Sequence, residues 1–153
     1  MSNTKYFADL VKVCSVLPVF AVMPAMADAA ERQTFTSGET FVITNQSVSG
    51  HNETAEWAGG LYLVSKQSEL TIRGGRYTNN ANNAIILNKD ESVYARGAGG
   101  VVGQGTGLLK VQDYDGQRAS FVGNSAIAAG GALWLGDRAE ITNSDFIDRK
   151  SVV

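Results

Sequence analysis

Cysteine is almost absent from this chain: Cys14 is the only one, and it lies inside an N-terminal stretch that reads as a removable leader. No disulfide is then available to the remainder, which must hold itself together by burial and hydrogen bonding. The residues before Cys14 (Val11, Lys12, Val13) do not make a lipoprotein box. Histidine is nearly as scarce. His51 stands alone, and one histidine without cysteines cannot build the usual zinc site, so neither a metal nor another cofactor is expected. Positive charge is not in excess either. Thirteen basic against fifteen acidic residues give a net charge of −2. With Lys5, Lys12 and Asp9 removed the balance is about −3, which offers nothing to a nucleic acid. Long apolar runs are missing as well: Val13 to Met23 is about ten residues and carries Pro18, against the roughly 20 that a membrane-crossing helix needs.

That short apolar run makes sense as a secretory signal. Lys5 and Lys12 supply a basic region, and Ala25-Met26-Ala27 supplies the small residues a signal peptidase requires, with cleavage expected between Ala27 and Asp28. The chain as a whole is globular in composition, with 44% hydrophobic and 18% charged residues in a length that suits one domain. Seventeen glycines against two prolines point to many tight corners joining short strands.

Aligned on itself, the chain repeats. Ile141-Thr-Asn-Ser-Asp-Phe146 is nearly the string Ile43-Thr-Asn-Gln-Ser-Val48, and Ile72 to Tyr77 keeps the same spacing. Val111 to Phe121 is a fourth copy, lengthened by five residues that match the loop-like string Asp113-Tyr114-Asp115-Gly116-Gln117. An apolar residue stands two places before each copy, at Phe41, Leu70, Leu109 and Ala139, which is strand alternation. His51, Asn80, Asn124 and Arg149 lie three places after the large residue, and glycine pairs at 59–60, 99–100 and 130–131 open the next apolar runs. From one inward position to the next the spacing is 29 residues (Ile43 to Ile72), 39 (to Val111, an excess ascribed to the inserted loop) and 30 (to Ile141). Strand-rich units that recur at a near-fixed period and cannot bury a face alone describe a β-solenoid. An all-β sandwich is the competing fold. In the solenoid, Phe41, Ile43, Leu70, Ile72, Leu109, Val111 and Ile141 should face one continuous core.

Phe121-Val-Gly-Asn124 followed by Gly130-Gly131-Ala132-Leu133 resembles the paired FxxN and GGA(I/L/V) repeats of the polymorphic outer-membrane protein family of autotransporter passengers, and Tyr77-Thr-Asn-Asn80 is similar to the first motif. The resemblance implies a right-handed parallel β-helix, display on the surface of a Gram-negative cell, a non-enzymatic adhesive role toward a protein or glycan of a host or neighbouring cell, and a C-terminal outer-membrane barrel. No barrel pattern is present here, and the chain stops partway through a unit. The expected organisation is a signal peptide over 1–27, an entry or cap segment over 28–40, and β-helix repeats over 41–153.

Other readings compete for the function. β-Helices also house polysaccharide lyases and hydrolases, and Asp113 and Asp115 would share an outward face on a strand; as part of an Asp-Gly turn they are a loop instead. A purely structural stalk is the third reading. The glycine-rich stretch Gly97 to Gly107 lacks the lysine and helix of a phosphate loop and is expected as a corner or mobile loop. Trp57, Trp134, Tyr62 and Tyr94 either form an exposed aromatic surface for sugars or pack in the core. Asp113 to Gln117, thrown out of the wall at little cost to the fold, is expected to be either a contact loop or a neutral insertion.

Overall fold

A computed structural model describes residues 31–147. Every named element among them is a β-strand. The chain makes four similar passes. The first contains β1 (Gln33–Phe35), β2 (Thr40–Thr44), β3 (Ser47–Ser49) and β4 (Asn52–Glu53). The second contains β5 (Tyr62–Val64), β6 (Ser68–Arg73), β7 (Arg76–Thr78) and β8 (Ala81–Asn82), and is followed by a hairpin of β9 (Ile85–Leu87) and β10 (Val93–Arg96). The third holds β11 (Val102–Gln104), β12 (Gly107–Gln112), β13 (Ala119–Val122) and β14 (Ser125–Ala126). The fourth holds β15 (Leu133–Leu135), β16 (Arg138–Ile141) and β17 (Ser144–Ile147).

Equivalent strands of successive passes pair in parallel. The sheet orders are β1-β5-β11-β15, β2-β6-β12-β16, β3-β7-β13-β17 and β4-β8-β14. The register follows the internal repeat: Ile43 pairs with Ile72, Ile72 with Val111, and Val111 with Ile141. One position set further along, Val48 pairs with Tyr77, Tyr77 with Phe121, and Phe121 with Phe146. Strand alternation then sends these residues to one side together, where all but Ile141 and Phe146 join Phe35, Tyr62, Val64 and Val102 of β1, β5 and β11 in the core. Leu70, Ile72, Leu109 and Val111 have no exposed surface, and Tyr77 and Phe121 are equally enclosed. The Tyr77 and Phe121 rings stack at 5.1 Å, and Phe121 and Phe146 at 4.7 Å. Each enclosed side chain of this size contributes about 1.5–3 kcal/mol.

Two of the expected inward residues differ. Phe41 is half-buried, packed against the core from β2, the outermost described strand of its sheet. Ile141 is in register with Val111 but 41% exposed, because β16 is the last strand at the other edge and no described strand lies beyond it.

The corners explain why particular polar residues recur. Asn45, Gly74 and Asn143 follow the inward position by two residues in three passes, and all have left-handed backbone, with φ of 49°, 61° and 44°. Asparagine and glycine are the residues that tolerate this region, which gives the repeated Ile-Thr-Asn string its physical meaning. At the glycine pairs a different constraint acts. A Cβ on Gly60 would collide with the Gly100 carbonyl, and one on Gly100 with the Gly131 carbonyl, so neighbouring passes approach at backbone distance.

The 39-residue spacing has another origin than the one expected. Asp113 to Gln117 lies beyond Val111 and adds nothing between Ile72 and Val111; the excess is the β9–β10 hairpin, inserted between Asn82 and Ala98. The Gly97–Gly107 stretch is not a loose loop either. Its centre is strand β11, with Val102, Gly103 and Gln104 all buried. Glycine serves there because the corner of an adjacent pass lies directly on the strand, and a Cβ on Gly103 would stand 2.8 Å from the Ala58 carbonyl carbon.

Ile72→Asp places an uncompensated carboxylate in this core and is expected to abolish the cooperative thermal transition. Lys110→Ala, on the outward face where Lys110 pairs with Glu69 at 2.7 Å, is expected to leave the melting temperature nearly unchanged. Circular dichroism melts of both variants check this.

Candidate contact surface

Four structures stand out along the strands and corners: an asparagine ladder, two insertions, and an aromatic pair. The ladder sits where β3, β7 and β13 turn into β4, β8 and β14. Asn80 is fully buried and accepts from the His51 backbone N–H at 3.0 Å. Its side-chain amide donates to the Asn124 Oδ1 at 3.0 Å and to the Val48 carbonyl at 3.3 Å. Asn124 accepts also from the Asn80 backbone N–H and donates to the Tyr77 carbonyl at 2.9 Å. The two amides satisfy each other and the corner backbone, which is the condition for burying them at all. Residues of the FxxN-like motif therefore have assigned places: Tyr77 and Phe121 in the inner aromatic stack, Asn80 and Asn124 in the ladder. Gly130 and Gly131 form the next corner, Ala132 is buried, and Leu133 packs partly against the core. The fourth ladder position, Arg149, falls outside the described residues, as does the expected leader with its cleavage position at Ala27 and Asp28.

The first insertion, Asp113 to Gln117, is a tight hairpin turn. Tyr114 and Gln117 exchange two backbone hydrogen bonds of 2.9 Å, and Asp115 and Gly116 between them both have positive φ, 49° and 76°. That is the geometry an Asp-Gly pair favours between antiparallel segments. Asp113 and Asp115 do not share a strand face. The Asp113 carboxylate accepts from the Asn143 side chain at 3.0 Å, which holds its pKa below the ordinary carboxylate range, and Asp115 is exposed in the turn. The Tyr114 ring covers the Arg73 guanidinium at 5.1 Å, so the turn leans back on the wall. Gly74 beneath it leaves only 3.1 Å between an added Cβ and the Tyr114 Cβ.

The second insertion is the β9–β10 hairpin, which the sequence reading passed over. Its signal was present: Ile85-Ile-Leu87 and Val93-Tyr94 flank Asn88 to Ser92, a turn composition. Ile86 and Ala95 are half-buried, whereas Ile85, Leu87, Val93 and Tyr94 are 46–70% exposed. The register breaks between Val93 and Ala95, a bulge centred on Tyr94, the most exposed aromatic described.

Of the other aromatics, Tyr62 is buried: its hydroxyl donates to the Gln46 Oε1 at 2.6 Å, and burial pushes its pKa up. The Tyr77 hydroxyl is buried without a partner. Trp57 and Trp134 meet edge to face at 5.2 Å. Among the described residues no group of three His, Cys, Asp or Glu side chains converges. No family model, curated protein or solved structure matches the chain.

Two outcomes follow from these contacts. Asn124→Ala strips partners from Asn80 and Tyr77 together and is expected to cost about 2 kcal/mol or more, whereas Tyr77→Phe, which removes only an unpaired buried hydroxyl, is expected to be neutral or stabilising. Chemical denaturation of the two variants measures this. Asn143→Ala is expected to raise the Asp113 pKa toward its ordinary value. In the parent protein the depressed pKa means that the Asn143 contact is present at neutral pH and is lost as pH falls through it. Carboxylate chemical shifts followed by NMR through an acid titration read the difference.

Proposed function

We propose that the four passes are coils of a right-handed parallel β-helix and that the protein is an exported, non-enzymatic surface passenger of the polymorphic outer-membrane protein type. The observation that carries the reading is the register of the columns Ile43–Ile72–Val111 and Tyr77–Phe121. Equivalent repeat positions lie one above another, as in a solenoid wall. Right-handedness follows from the strong preference of parallel crossovers for that hand. The FxxN-like and GGA-like residues support the family likeness, because each has a role that needs its residue type: a stacked aromatic, a laddered amide, a corner glycine. Export rests on the leader ending at Ala27, and an outer-membrane barrel belongs to the same proposal as the anchor.

In this reading the helix is a rigid display wall, and contact with a host or neighbouring cell is made by what projects from it. The Asp113–Gln117 turn is placed in that role: its flanking strands keep their pairing with β6 and β7 while the turn itself stands outside the repeat. Solenoids carry such insertions at little cost. Deleting Asp113 to Gln117 brings Arg118 into the position of Gly74, whose φ is +61°, so the clean test combines the deletion with Arg118→Gly. The melting temperature is expected to stay within a few degrees, and binding of the labelled chain to cultured epithelial cells is expected to fall. A collapse in stability would place the turn in the core; unchanged stability with unchanged cell binding would remove the contact role.

A further inference from the structure

The two tryptophans of this chain, 77 residues apart in sequence, are brought together on the outside of the β1-β5-β11-β15 sheet. Trp134 is the central residue of β15 and pairs with Gly103 of β11, which in turn pairs with Leu63 of β5, itself opposite Thr34 of β1. The flanking residues of β5, Tyr62 and Val64, are buried in the core, so this column faces outward. Trp57 reaches the same place from the corner after β4. That corner lies on Gly103, where any side chain would strike the backbone of Ala58 and Gly59. The glycine is thus what lets the corner settle on the sheet and set its indole against that of Trp134.

Both supports are rigid. The Trp57 carbonyl accepts from the Ala98 N–H at 2.7 Å and from the Asn82 side-chain amide at 3.2 Å, and that amide also holds the Glu56 carbonyl. The Trp134 backbone is confined between two corners: an added Cβ on Gly99 would stand 3.1 Å from the Trp134 N, and one on Gly130 3.0 Å from its Cα. The rings meet at an interplanar angle of 69° with centroids 5.2 Å apart, and Trp57 remains 38% exposed. Polar groups border them. Arg32 donates to the Ala58 and Gly59 carbonyls at 2.8 and 2.9 Å, in the corner that follows Trp57, and Glu56, the residue before Trp57, is exposed.

We infer that Trp57 and Trp134 form a carbohydrate-binding platform for a pyranose ring of an oligosaccharide. The chemistry selects this class. A fixed, partly exposed pair of indoles set edge to face covers one apolar face of a ligand and leaves its other side in water. A pyranose presents such a C–H face together with a rim of hydroxyls that polar groups of the same corner, Glu56 next to Trp57 in the chain and Arg32 bound to its backbone, can meet. A ligand that is apolar all round is favoured instead by a site that encloses it. Because the indoles are held by the wall before any ligand arrives, little ordering cost is added on binding. The inference rests on the surface-contact reading for its biological setting, but places the contact elsewhere than the Asp113–Gln117 turn.

The test uses the purified chain with cellohexaose, chitohexaose and maltohexaose as probes, read by saturation-transfer NMR and by tryptophan emission, which here comes from this pair alone. At least one probe is expected to bind saturably with Kd of about 1 mM or tighter. Trp57→Ala is expected to weaken that binding about tenfold or more by NMR while the protein still melts cooperatively; Trp57→Phe is expected to retain most of it, and Tyr94→Ala, which removes an exposed aromatic from the hairpin, all of it. Failure of every probe to bind the folded parent at about 10 mM would overturn the inference, as would binding that survives Trp57→Ala or is lost with Tyr94→Ala. None of these outcomes touches the Asp113–Gln117 turn, so the platform and the surface-contact reading fail separately.

Discussion

Everything in this fold depends on parallel, in-register pairing of one pass with the next. A single pass of short strands buries almost nothing, because its inward residues are only a single row. Placed at strand spacing above one another, the rows close a core in which Ile72 and Val111 lose all contact with water. The same pairing satisfies the backbone, so hydrophobic burial and main-chain hydrogen bonding are two consequences of one register. Because strand side chains alternate with period two, a slip of one residue would turn Ile72 outward and bring Thr71 in. The register is therefore strongly specified wherever one face is enclosed, as it is at Ile43, Ile72 and Val111.

The corners carry the second constraint. They must turn the chain within one or two residues and let backbones of adjacent passes touch, and this is why the unusual glycine content sits where it does. Left-handed residues at Asn45, Gly74 and Asn143 do the turning, while the glycine pairs permit the close approach. Buried amides then finish the hydrogen bonding that the strands leave open, at the Asn80–Asn124 ladder and at Gln46 beneath Tyr62.

Much of this could be read before any coordinates. The spacing from the inward isoleucine to the large residue is set by one corner, of the same length in three passes and lengthened by the Asp113–Gln117 turn in the other, so the alignment of Ile43, Ile72, Val111 and Ile141 is kept in the pairing. What the repeat could not convey was how far a residue is enclosed: Phe41 and Ile43 both point inward from β2, yet Ile43 is 2% exposed and Phe41 is only half-buried. The β9–β10 hairpin was missed because its excess length was ascribed to the wrong insertion; Asp113 to Gln117 follows Val111 and cannot lengthen the interval before it. Trp57 and Trp134 were grouped with Tyr62 and Tyr94 as one surface or as core, but that these two alone meet, with Tyr62 buried, was not legible. It arises from a corner folding over Gly103, a tertiary contact that leaves no local pattern beyond an unexplained glycine.

The central claim is that successive passes lie next to one another in sequence order. Methyl–methyl NOEs in a sample labelled at isoleucine and valine test it most directly. Cross-peaks are predicted between Ile43 and Ile72 and between Ile72 and Val111, and none of comparable strength between Ile43 and Val111, two strand spacings apart at roughly 9–10 Å. A strong Ile43–Val111 contact with no contact to Ile72 would contradict the account, since it would place the intervening pass elsewhere and return the chain to a sandwich-like fold.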